Sequence, residues 1–290
     1  MSLTPQLLVL PLVETVVVGV LAGVIGALAV LDRRVFFTES VTHATFPGAV
    51  AGVVAASGLG GVLTGGEVGY GTLSLAVPVG AIVMCLPMIW LMRRLGRLPG
   101  ISSQAAAGVI LAVGFALGSL LSTWFAPLPL KVDGFLTGSI LNVNRTDVGL
   151  TVAVLVITLL TVAVGGRRLA MYCFDSVGYR AAGLSARMAE WTVLILICLA
   201  IGVLVPAVGT ILPIALIAAP AAAACPWVRT VNGLLLGAGA MGAGCCLLGF
   251  CVALALELSV GGTIAVVCAL AYTVSAGFSL RCRARRAGRF

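Results

Sequence analysis

The chain has 290 residues and a single histidine, His43, four positions after one of its nine acidic residues, Glu39. They lie in the run Glu39-Ser40-Val41-Thr42-His43-Ala44-Thr45-Phe46-Pro47-Gly48. On a helix, residues four apart share one face. A carboxylate beside an imidazole suits divalent manganese, iron or zinc, and does not suit cuprous copper, which prefers sulfur. Pro47, with Gly48 after it, is expected to break the helix and free the His43 carbonyl to face a cavity. The same two side chains could instead form a simple hydrogen-bonded pair near a membrane surface. Two ligands do not make a cage, but a site that passes an ion onward must also release it.

The other polar residues offer less. Glu14 falls inside the first apolar run and is expected near its outer boundary. Glu257 precedes Leu258-Ser259-Val260-Gly261-Gly262 at an external turn, where it either meets a partner or is solvated. Glu190 and Asp147 sit at the ends of apolar runs. The nine cysteines contain no C-x-x-C pair, and most behave as small apolar residues, although Cys245, Cys246 and Cys251 resemble a soft-metal group. Lys131 is the only lysine, and it stands in Pro129-Leu130-Lys131-Val132-Asp133, so a phosphate-binding G-x-x-x-x-G-K-[ST] loop is absent. H-E-x-x-H and G-x-S-x-G are absent as well. The chain is therefore read as neither an ATPase nor any other enzyme.

The elements that must hold these residues are membrane helices. Residues are 61% hydrophobic and 9% charged, against about 25% charged in a soluble domain. Apolar runs near the length that crosses about 30 Å of hydrocarbon recur throughout, and they are continuous, unlike the alternating strands of a barrel. The chain is an all-α, polytopic bundle forming one transmembrane domain over 1–290. Nine spans are expected, near 7–31, 41–60, 71–92, 102–122, 147–164, 188–206, 207–224, 231–256 and 261–279. An eight-span arrangement with one re-entrant stretch is the alternative. With the basic tail at 280–290 inside and the N-terminus outside, fifteen of the 17 basic residues fall inside, and only Lys131 and Arg145 outside. The net charge of +8 is thus a topology signal and not a nucleic-acid footprint. No basic start or cleavage site marks a signal peptide. Residues 165–187 are expected to form an internal loop holding a short helix, and Gly134 to Leu141 a partial helix outside. The 37 glycines, including the pairs Gly19–Gly23, Gly48–Gly52, Gly114–Gly118 and Gly233–Gly237, point to tight helix packing.

The run from Glu39 to Gly48, after Leu31-Asp32-Arg33-Arg34, resembles the D-[AS]-[LI]-S-H-A-x-[LF]-P-G signature of the metal-ion permease family of ATP-binding-cassette importers, which handles manganese, zinc and iron. Glu39 stands where that family has aspartate, and Thr42 where it has serine. Gly134-Phe135-Leu136-Thr137-Gly138-Ser139-Ile140-Leu141, the stretch Phe174-Asp175 through Ala182-Gly183-Leu184, and Leu256 to Ile264 resemble three further family segments in the same order. The resemblance implies a homodimeric or paired permease, a cytoplasmic dimer of ATP-binding subunits, and an external metal-binding protein. It makes Glu39 and His43 the metal-contacting pair, and 174–185, with Phe174, Asp175, Ala182, Gly183 and Leu184, the helix that couples to the ATPase. It implies no permanently bound cofactor, only a transported divalent ion. A secondary carrier driven by an ion gradient is the competing reading, though such carriers often carry internal repeats and none is evident here. A non-transporting scaffold would leave Glu39 and His43 without a purpose.

Overall fold

The computed structural model describes residues 5–64, 70–126, 140, 143–210 and 212–287, and their regular structure is wholly helical. In chain order the helices are α1 (Pro5–Leu31), α2 (Val35–Thr64), α3 (Tyr70–Leu95), α4 (Ser103–Trp124), α5 (Arg145–Phe174), α6 (Ser176–Ala181), α7 (Ala186–Val208), α8 (Leu212–Ala224), α9 (Val231–Leu256) and α10 (Val260–Ala287), with a 3-10 turn at Cys225–Trp227. The Gly134–Leu141 stretch, Lys131 and the end of the basic tail lie outside the described residues, apart from Ile140.

Each of the nine expected spans overlaps a helix, although 207–224 begins inside α7 and crosses the bend at Gly209. Seven of these helices, α1, α3, α4, α5, α7, α9 and α10, are long and apolar enough to cross a membrane. The other two depart from the expectation for different reasons. α2 has 30 residues, but its N-terminal half carries Thr38, Glu39, Ser40, Thr42, His43 and Thr45. α8 has only 13 residues, because Gly209, at φ +85°, ends α7 and re-aims the chain immediately before it. The expected loop at 165–187 is also shorter than predicted. α5 runs on through Gly165 and Gly166 to Phe174, so only 175–185 connect it to α7.

The helices form two compact units. One comprises Met1–Val35, Val152–Val193 and Ile214–Phe290, the other Phe36–Thr151 and Leu194–Pro213. In the first unit α1 packs on α9 at backbone contact. A Cβ added to Gly19 would lie 2.6 Å from the Gly242 carbonyl oxygen, and one on Gly23 would strike the Ala238 carbonyl. Small residues permit this approach, in which packing replaces the hydrophobic drive that lipid cannot supply. The face of α9 that is used is Ala238, Gly239 and Gly242; of the pair Gly233–Gly237, the first adjoins its own N-cap residue Thr230 and the second has only ordinary contacts.

In the second unit Gly48 and Gly52 of α2 meet Gly80 and Ala76 of α3 in the same manner. Below them Ala44, Met88 and Ile110 form a buried apolar cluster joining α2, α3 and α4. The α4 helix begins at Ser102, whose hydroxyl accepts from the Ala105 N–H at 3.1 Å, a cap that satisfies one of the helix's free donors.

Candidate functional site

The polar half of α2 is almost entirely self-satisfied. The Thr42 hydroxyl donates to the Thr38 carbonyl at 2.8 Å, and the Thr45 hydroxyl to the Thr42 carbonyl at 2.6 Å. The Ser40 hydroxyl donates to the Ala107 carbonyl of α4 at 2.8 Å, with the Phe36 carbonyl at 2.9 Å. Buried hydroxyls that bond back to the helix add little cost in an apolar medium.

Glu39 and His43 stand apart from this pattern. The His43 Nε2 lies 3.3 Å from the Glu39 Oε1, as the four-residue spacing requires, and the side chains keep 18% and 20% of their exposure. The remaining heteroatoms of the pair, Glu39 Oε2 and His43 Nδ1, are buried and have no hydrogen-bond partner among the described residues. Buried polar atoms left in this state normally cost about 1–3 kcal/mol each. In the tautomer whose proton sits on Nε2 and faces Glu39, Nδ1 presents a bare lone pair, the form in which imidazole ligates a metal. Among the described residues no cluster of three or more His, Cys, Asp or Glu side chains accompanies them. Glu39 and His43 thus bring one carboxylate and one imidazole together on a single face of α2.

The helix break expected at Pro47 and Gly48 does not occur. α2 continues through both to Thr64. Proline still removes the N–H that the His43 carbonyl would accept from, but the loss of one bond is tolerated where neighbours hold the helix. Gly114 of α4 supplies that hold, since a Cβ there would lie 2.8 Å from the Ala44 Cα and 3.2 Å from the His43 carbonyl oxygen. The freed carbonyl thus abuts α4 and does not open on a cavity. Gly118, one turn on, admits the Phe46 ring, and Phe115 between them meets the His43 ring edge-on at 6.0 Å. Only the i, i+4 glycine spacing pointed to α4; its aromatic wall had no sequence signal.

In the other unit the stretch 174–185 takes in the last residue of α5, the short helix α6 and the turn after it. The Asp175 carboxylate caps α6 by accepting from the Val177 and Gly178 N–H groups at 3.1 and 2.8 Å. Ala182 ends α6, Gly183 follows at φ +76°, and Leu184 N–H donates to the Tyr179 carbonyl at 3.3 Å, a glycine-terminated helix end. Phe174 and Val177 project outward with 73% and 67% exposure, while Tyr179 turns inward against Tyr172.

An ion triad escaped the sequence reading. Arg34 contacts Asp32 at 2.8 Å and donates to Glu190 at 2.9 Å, joining the α1–α2 connection to the first turns of α7. Burial pushes the Asp32 carboxyl above the usual carboxylate range, and Arg34 offsets this only in part. For Arg34 itself burial opposes the charge, but Asp32 and Glu190 more than restore it. No local pattern links Arg34 with a residue 156 positions away.

The remaining candidates separate. Glu257 ends α9 exposed and in the left-handed conformation, φ 54°. Glu14, expected at a boundary, is wholly buried beside Thr15. Cys245 and Cys246 are buried and Cys251 is exposed, and among the described residues the three do not assemble as a metal group.

Residues 5–279 match the ABC 3 transport family. The chain is 25% identical over 264 residues to the manganese import system permease protein ScaB of Streptococcus gordonii, covering 91% of this chain and 88% of that one. It is 31% identical over 225 residues to the zinc transport system membrane protein TroC of Treponema pallidum, covering 75% and 70%. The solved structure of PsaBC from Streptococcus pneumoniae in complex with Fab matches with a TM-score of 0.79 at 23% identity, covering 93% and 91% of the two chains, which establishes a shared fold.

Proposed function

Because the chain belongs to the ABC 3 transport family, we propose that this multi-pass membrane protein is the permease subunit of an ATP-driven importer of divalent transition-metal ions, manganese foremost, with zinc and iron as alternatives. The observation that carries the substrate is the pair of buried, unpartnered atoms, Glu39 Oε2 and His43 Nδ1. A divalent ion handed over by an extracytoplasmic binding protein would meet carboxylate and imidazole side chains, a borderline set suited to these metals. So small a ligand set favours release over storage. The relatives named for manganese import and for zinc transport support the same substrate class.

ATP is hydrolysed by a separate cytoplasmic subunit, present as a dimer, against which the exposed Phe174 and the Asp175-capped α6 dock. Two copies of the permease, or a pair of related ones, complete the pathway in the cell membrane. Nine spans, with the N-terminus outside and the C-terminus inside, put α6 on the ATPase side. The Arg94 guanidinium over the Trp90 ring at 5.1 Å, at the end of α3, suits a membrane–water boundary there.

The test is cellular manganese, zinc and iron in a transport-deficient host supplied with this permease, its ATPase and its binding protein. Loss of one metal's accumulation in both Glu39→Ala and His43→Ala, with the complex assembled, is the expected outcome and names the substrate. Undiminished accumulation would show the pair to be structural.

A further inference from the structure

Beside α6, the helices α5 and α7 leave a groove of about 650 Å³ lined by Leu160, Val164, Gly165, Arg168, Leu169 and Met188 among others. Its walls carry two chemistries. Val164, Met188 and Leu160 are 89%, 73% and 60% exposed, a high exposure for large apolar side chains. Arg168 is exposed at the same place and has no ion-pair or hydrogen-bond partner among the described residues, unlike Arg34. Among the described residues no acidic side chain lines the groove. The hydroxyls of Thr161 and Thr192, which do line it, already donate to the Ile157 and Met188 carbonyls at 2.8 Å each, and Arg168 is the charged donor among the described lining residues. Arg167, Arg180 and Arg187, all exposed on the same three elements, add positive potential.

An apolar channel capped by an unpaired cation, at the end of a membrane helix, complements a molecule with an anionic head and a hydrocarbon tail. We propose that this groove seats one anionic phospholipid of the cytoplasmic leaflet, its phosphate on Arg168 and its upper acyl chain along Leu160, Val164 and Met188. The leaflet rests on the membrane orientation proposed above. Basic pockets at the cytoplasmic ends of membrane helices are suited to such headgroups, and a bidentate guanidinium suits phosphate. A lipid held here would brace the base of α6 through α5 and α7.

Gly165 provides a clean variant, because a side chain added there meets open space. The full-length permease with its ATPase subunit would be placed in nanodiscs of phosphatidylcholine with graded phosphatidylglycerol, and retained lipid counted by native mass spectrometry. Wild type is expected to keep one phosphatidylglycerol per permease. Arg168→Gln should need about fivefold more of it for equal retention, the effect of one charge near a membrane surface. Gly165→Leu should abolish retention, and Arg167→Gln should change it much less than Arg168→Gln. Equal weakening by Arg167→Gln and Arg168→Gln would mean diffuse surface charge and overturn the seat. Displacement by inorganic phosphate alone would reassign the site to a soluble anion. Loss of ATPase association in Arg168→Gln and Gly165→Leu, with phosphatidylglycerol retained, would make the groove a protein contact. Metal accumulation, measured separately, reports on the transport reading: a complex that fails to transport yet retains the lipid refutes only that reading.

Discussion

Arg34 donates to Oε1 of Glu190 at 2.9 Å, closing a link between residues 156 positions apart, and the same guanidinium holds Asp32 at 2.8 Å. One cation therefore serves two partly buried carboxylates. Removing it takes the shared cation from both, whereas removing either acid leaves one of the two contacts intact. Arg34→Ala is expected to destabilise the protein by about 1–3 kcal/mol, more than Glu190→Gln, since charged hydrogen bonds contribute about that much. Thermal unfolding in detergent at matched protein levels checks this. Equal melting of Arg34→Ala and wild type would show the triad to be energetically idle.

Asp32 gives a pH signature. Its carboxyl is raised above 3.8 by burial, so the folded state binds its proton more tightly than the unfolded chain. Its contribution to stability is then fullest below the ordinary carboxylate value and is lost as pH rises through the raised one. Asp32→Asn has no such loss. The melting temperature of the variant, relative to wild type, should move in the variant's favour as pH rises from about 4 toward 7. Movement in the opposite direction would mean that Arg34 governs the carboxyl and burial does not.

Helix contacts through glycine can be tested in pairs. A Cβ on Gly114 would lie 2.8 Å from the Ala44 Cα, while one on Gly108 of the same helix meets nothing within 4 Å. Gly114→Val is expected to reduce folded protein severely and to disturb His43 one residue away. Gly108→Ala should be neutral or slightly stabilising, given the roughly 1 kcal/mol helix advantage of alanine. Size-exclusion profiles of the two variants decide the matter, and similar behaviour would refute the packing assignment.

Glu39 carries one methylene more than the aspartate of the resembling signature. Glu39→Asp draws the carboxylate back from His43 and should alter the order of metals accumulated while keeping the complex assembled. Competition uptake with manganese, zinc and iron measures this order. An unchanged order would mean that selection resides elsewhere, for instance in the delivering protein.

The Asp175 cap orients the segment proposed to meet the ATPase. Asp175→Ala removes two acceptor contacts to backbone N–H groups and should cost about 0.5–2 kcal/mol of local helix stability. Asp175→Asn, which can still accept, should retain most of the transport-coupled ATP hydrolysis that Asp175→Ala loses. Equal coupling in both would detach the cap from energy transfer.

Much of this protein was legible without its tertiary structure. Long apolar runs can satisfy their backbone only as helices, so the spans at 231–256 and 261–279 coincide closely with α9 and the start of α10. The spacing of Glu39 and His43 sufficed to bring their side chains together, because i, i+4 contact is a property of any helix. Likewise Asp175 before Ser176-Val177-Gly178 is a cap wherever that helix forms. Packing decided what lies beyond one helix. Pro47 does not end α2, because Gly114 and Gly118 let α4 close over the weakened turn. Glycine spacing announced tight crossings, but the partner backbone selected Ala238 and Gly242 over Gly233 and Gly237 on α9. Arg34 and Glu190 meet only because unit formation brings the start of α7 beside the α1–α2 connection. Local periodicity is written into neighbouring residues, whereas pairing across 156 positions depends on the shape and charge of every helix packed between them.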